Sequence, residues 1–177
     1  MAGLLLGGLL AGPVGAHPVD EIVQGAYLAL APGEVRLELD LTPGTEVAEA
    51  FLTSIDVNGD QRISEPEGRA FALRVLQQST LMLDGKLATW RLDRVSAPAY
   101  QGLRQEGDTL KIYAIARRPD RAGARTLAYE NRYNPAKSQC IANIFLQPGA
   151  GWRFQVGGQK HSQDGRGLSV SYAAARP

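Results

Sequence analysis

The twelve residues from Asp56 to Glu67, DVNGDQRISEPE, leave the chain fewer choices than any other stretch. Asp56, Asn58 and Asp60 put short oxygen-bearing side chains at the first, third and fifth places, and Glu67 puts a longer carboxylate at the twelfth. A hard cation such as Ca²⁺ takes about six to eight oxygens at once, and a loop supplies them by this alternation, with a main-chain carbonyl at the seventh place. Arg62 would give that carbonyl, Ser64 would bind directly or through water, and Glu67 would close the shell with both oxygens. The ligand set read from the spacing is therefore Asp56, Asn58, Asp60, Arg62, Ser64 and Glu67. Gln61 stands at the sixth place, where the sharp turn wants positive φ and a side chain costs about 1 kcal/mol or more. Three acidic ligands and that strained turn imply a Kd on the order of 10⁻⁵ to 10⁻³ M.

The flanks carry helical patterns. Before the loop, Val47, Ala48, Phe51, Leu52 and Ile55 recur on one face, with Thr45 as the expected N-cap. After it, Ser64 and Glu67 have capping-box spacing, Pro66 falls in the first turn, and Phe71, Ala72, Val75 and Leu76 continue an apolar face. On these residues the segment 45–78 resembles an EF-hand. The resemblance implies a helix–loop–helix unit with Ca²⁺ as its ligand. An acidic turn capped by Ser64 and Glu67, binding nothing, is the competing reading of the same residues. EF-hands commonly pair, and no second loop of this kind occurs in the sequence. Phe51, Leu52, Phe71 and Val75 are therefore expected to pack on a sheet.

Such a sheet is written into the rest of the chain. The segments IVQGAYLALA and EVRLELDL flank Pro32-Gly33 and read as a hairpin. In the second, Val35, Leu37, Leu39 and Leu41 alternate with Glu34, Arg36, Glu38 and Asp40, as in a half-buried strand. Further strands are expected at 80–83, 88–95, 109–116, 125–130, 139–146, 152–157 and 168–173, with a tight turn at Asp84-Gly85. This pattern predicts an α+β fold, mainly an antiparallel β-sandwich or barrel, with the helical unit inserted at 45–78 in a single domain, 17–177.

Residues 1–16 carry no charged side chain and end in Val14-Gly15-Ala16, so they read as a secretory signal directing the protein to the periplasm or the exterior. The run is shorter than the ~20 apolar residues of a membrane span, and no later stretch approaches that length. Cys140 is the single cysteine, which excludes a disulfide framework and a cysteine zinc site, and its apolar neighbours suggest a small buried residue. Charge is unevenly shared: 17–96 hold seven Lys/Arg against thirteen Asp/Glu, and 97–177 hold twelve against five. The basic half could meet an anionic partner, pack against the acidic half, or form a solvated face.

A second reading uses the two histidines. Cleavage after Ala16 would expose His17, whose α-amine and imidazole can chelate copper, with His161 completing a brace. In this layout the chain resembles periplasmic copper-binding sandwiches and copper oxygenases with a terminal histidine. The Ala-His-Pro start is also similar to extracytoplasmic domains of bacterial metal-transport and hydrogenase or urease accessory proteins. His161 lies in the polar stretch QKHSQDG and is expected in an exposed loop. No nucleophile elbow or zinc-hydrolase helix pattern occurs, and the basic residues form no nucleic-acid-binding module. The sequence thus describes an exported, non-enzymatic binding protein for Ca²⁺, in which the ion serves mainly to hold the fold; its protein partner is not legible.

Overall fold

The computed structural model describes residues 20–176, in which two five-stranded sheets are joined by two α-helices. The leader expected at 1–16 and His17 lie outside the described residues. Strands β1 (Ile22–Ala31) and β2 (Glu34–Pro43) form the expected hairpin, closing from Ala31 paired with Glu34 over Pro32-Gly33. Gly33 adopts φ 76°, which only glycine takes without strain. The alternation in β2 is spatial as well as sequential, since Val35, Leu37, Leu39 and Leu41 are all fully buried.

Helices α1 (Ala48–Thr53) and α2 (Glu65–Gln77) follow β2 and lead into the second sheet. There β3 (Ser79–Leu83) turns into β4 (Lys86–Ala88) through Asp84 and Gly85, both at positive φ, 49° and 73°. Such a two-residue turn matches the right-handed twist of the strands it joins. The stretch 88–95, expected as one strand, is divided. After Thr89 and Trp90 the chain leaves the second sheet, and β5 (Arg91–Ser96) joins the first. Trp90 packs edge-on against Tyr129 at 6.4 Å at this crossing. Periodicity could not locate the break, because residues on both sides alternate alike.

A single π-helical turn at Gly102–Glu106, without a periodic signal of its own, precedes β6 (Leu110–Arg117). Then β7 (Gly123–Asn131) returns to the second sheet, β8 (Ser138–Leu146) to the first, and β9 (Arg153–His161) with β10 (Gly167–Ala175) to the second. The orders are β5-β6-β2-β1-β8 and β4-β3-β7-β10-β9. One pairing departs from the all-antiparallel expectation: β8 runs parallel to β1, from Ile22 opposite Ser138 to Leu30 opposite Leu146. The chain reaches β8 from β7 in the other sheet, so no hairpin dictates its direction.

The fold is thus a β-rich α+β arrangement with one hydrophobic core. Leu28, Leu37 and Ile112 of the first sheet share that core with Leu81, Leu127 and Val170 of the second and with Phe51, Leu52, Phe71 and Val75 of the helices. The Phe71 ring meets Phe51 edge-on at 5.5 Å on one side and Tyr133 at 5.9 Å on the other. No helix among the described residues is long and apolar enough to cross a membrane.

Candidate metal centre

The loop between α1 and α2 is folded around one carboxylate. Asp56 is buried, 6% exposed, and its two oxygens accept three main-chain N–H bonds. Gly59 N and Asp60 N donate to Oδ1 at 2.8 and 3.2 Å, and Gln61 N donates to Oδ2 at 2.9 Å. Reaching all three donors requires the chain to turn sharply at the sixth place, and Gln61 does so at φ 59°. The strain expected of that residue is therefore present as a left-handed backbone carrying a side chain.

The other oxygens are arrayed by the same kind of bond. Asn58 Oδ1 accepts from Asp60 N at 2.9 Å, Asp60 Oδ1 accepts from Arg62 N at 2.9 Å, and Asn58 Nδ2 donates to Asp60 Oδ2 at 3.2 Å. At the far end Ser64 caps α2 as its spacing predicts. Its hydroxyl accepts from Glu67 N at 3.5 Å and donates to Glu67 Oε2 at 2.6 Å, while Ser64 N donates to that same oxygen at 3.0 Å. Glu67 Oε1 reaches back across the loop to Val57 N at 3.0 Å. These hydrogen bonds, chiefly those from Ser64, hold the Glu67 carboxyl below its ordinary range. Ile63, partly buried, packs its side chain on the core.

The six expected ligand residues thus lie along one loop, with Asp56 and Glu67 both bonded to its main chain. Among the described residues, no three His, Cys, Asp or Glu side chains are gathered to hold an ion as they stand. The oxygen donors suit a hard cation by type, and bidentate closure by Glu67 would exchange its bonds to Ser64 and Val57 for the ion. Thr45 does not cap α1. Val47 occupies the N-cap without any side-chain bond, and Val47 N donates to Gly44 O at 3.1 Å. Two residues outside the loop support it. Arg74 Nη2 donates to Ser54 O at 2.6 Å, tying α2 to the C-terminus of α1, and Tyr133 backs Phe71. Their sequence distance from the residues they meet hides both.

Of the two histidines, only His161 lies among the described residues. His161 closes strand β9 instead of lying in a loop, although it is exposed as expected. Its Nε2 stands 2.9 Å from Ala142 O and 3.1 Å from Gln159 Nε2. Cys140 is half-buried on β8, and burial pushes its thiol up, away from nucleophile character. No protein-family model matches this chain, and no curated protein matches it.

Proposed function

We propose that residues 56–67 bind Ca²⁺ in the manner of a single EF-hand embedded in an exported β-sandwich, and that the protein is a binding protein and not an enzyme. The observation that carries this reading is the main-chain turn around Asp56, completed by Gln61 at φ 59°. A calcium loop turns sharply at its sixth place, where glycine is usual, and the chain makes that turn here with Gln61 in spite of its side chain. Asp56, Asn58, Asp60, the Arg62 carbonyl, Ser64 and Glu67 supply the shell. The ion is structural: it would pin the loop between α1 and α2, whose apolar faces already belong to the core. An ion that binds only the folded chain raises stability by RT ln(1 + [L]/Kd).

Calorimetric titration of Ca²⁺ into chelator-treated protein, beside Glu67→Gln, tests the site. Saturable uptake with Kd on the order of 10⁻⁵ to 10⁻³ M, abolished by the substitution and accompanied by a higher melting temperature, is the expected result. No uptake by the wild-type chain at millimolar Ca²⁺ would reduce the loop to a capped turn. Increased binding of a hydrophobic dye on adding Ca²⁺ would replace the structural role with a regulatory one.

A further inference from the structure

Where the chain crosses from β4 to β5, a cleft of about 570 Å³ opens between the two sheets. Lys86, Arg91, Arg117, Arg118, Arg121 and Arg125 line it, with Asp84 as the one carboxylate of the lining. Three of these cations are paired: Arg117 with Glu34 at 3.0 Å, Arg118 with Asp120 at 3.0 Å, and Arg125 with Asp84. Lys86, Arg91 and Arg121 have no ion pair among the described residues. The cleft therefore carries an uncompensated positive charge drawn from β4, β5 and the loop after β6.

Arg118 separates this cleft from an ordinary basic surface. Its side chain is only 3% exposed, lies over the Phe154 ring at 5.4 Å, and donates from Nη2 to Ala31 O at 3.2 Å. Its Nε and Nη1 have no hydrogen-bond partner, and neither has Nε of Arg125 on the facing sheet. Charged donors left buried and unmatched are costly, and folded proteins keep few of them. Guanidinium forks fit the paired oxygens of an oxyanion. Leu83, Leu87, Ile115 and Pro119 add an apolar wall, and Leu87 stands 70% exposed at its rim. The volume suits a molecule larger than a single inorganic anion, with an apolar portion beside its charges.

We propose that this cleft binds a phosphate-bearing ligand, with Arg118 and Arg125 as the buried anchors and Lys86, Arg91 and Arg121 as the outer contacts. The site is separate from the loop at 56–67 and does not depend on Ca²⁺. A soluble organic phosphate and a phospholipid headgroup share the required chemistry. Calorimetry with pyrophosphate, and co-sedimentation with phosphatidylglycerol vesicles against phosphatidylcholine vesicles, distinguish the two sources. The variants are Lys86→Gln/Arg121→Gln, which alters exposed side chains and spares the buried anchors, and Arg153→Gln/Lys160→Gln, which removes the same charge from β9 outside the cleft.

The expected result is saturable binding of pyrophosphate or of anionic vesicles, weakened about tenfold or more in the first variant and within about twofold of wild type in the second. Glu67→Gln should bind like wild type. Uptake of pyrophosphate identifies a soluble ligand, and uptake of phosphatidylglycerol vesicles alone identifies a headgroup. Absence of both, or equal loss in the two double variants, would overturn the proposal.

Discussion

Gln61 and Glu67 show how single residues shape the loop. Gln61 holds φ 59° so that its N–H can reach Asp56, at a conformational cost that glycine would not incur. Gln61→Gly is expected to stabilise the protein by about 1 kcal/mol, read from thermal or urea melts in chelator; an unchanged or lower melting temperature would show that the side chain compensates. Glu67 has the opposite character, because its hydrogen bonds reward the charged form. Its carboxyl sits below the 4.5 of a free glutamate, so its contribution is present above that value and is lost as pH falls through the lower folded-state value. Melting temperatures measured in chelator from pH 5.5 down should converge for wild type and Glu67→Gln; a constant gap would remove Glu67 from the acid response. Both residues were legible because the loop's turn and cap depend on short-range spacing. Thr45 misled for a related reason, since an N-cap preference does not say where the preceding strand lets the helix begin.

The helical unit persists only through what it packs against. Helix α1 has six residues, too few to be stable alone, and its Phe51 and Leu52 are buried. Helix α2 adds its own capping box, yet Phe71, buried between Phe51 and Tyr133, is what joins it to both α1 and the segment after β7. Phe71→Ala should cost about 3–5 kcal/mol by chemical denaturation and weaken the proposed Ca²⁺ uptake with it. A loss below about 1 kcal/mol would mean that the helices dock only loosely. Element types were readable here and in the hairpin 22–43 because the helical and strand periods differ. The division of 88–95 was not, since a strand that changes sheets keeps its period.

At the scale of the molecule, a buried polar cluster ties the two sheets together. Gln24 on β1 donates to Tyr133 O at 3.2 Å and Ser138 Oγ at 2.9 Å, and its Oε1 accepts from Asn131 Nδ2 on β7 at 2.9 Å. Asn131 Oδ1 in turn accepts from Tyr133 N at 3.1 Å. The Gln24 and Asn131 amides bond each other within this cluster, so removing one leaves groups of the other buried and unpaired. Asn131→Leu and Gln24→Leu should each cost about 2–3 kcal/mol, and the double variant less than their sum by about 1 kcal/mol or more. Strict additivity in urea melts would show that the two side chains act separately.

Short-range spacing in the sequence determined the sharp turn at Gln61, the cap of α2, the hairpin 22–43 and the β-rich class, all of which rest on residues within a few places of each other. The parallel β1–β8 pair, the crossing at Thr89-Trp90, the Gln24–Asn131 link and the basic cleft were decided by the tertiary structure alone. The reason is common to them: each joins residues far apart in the chain, where neither period nor propensity acts. The cleft shows this most plainly. Its six cations read along the chain as scattered basic residues, and only the facing of the two sheets brings them together around a buried Arg118 with two unmatched donors.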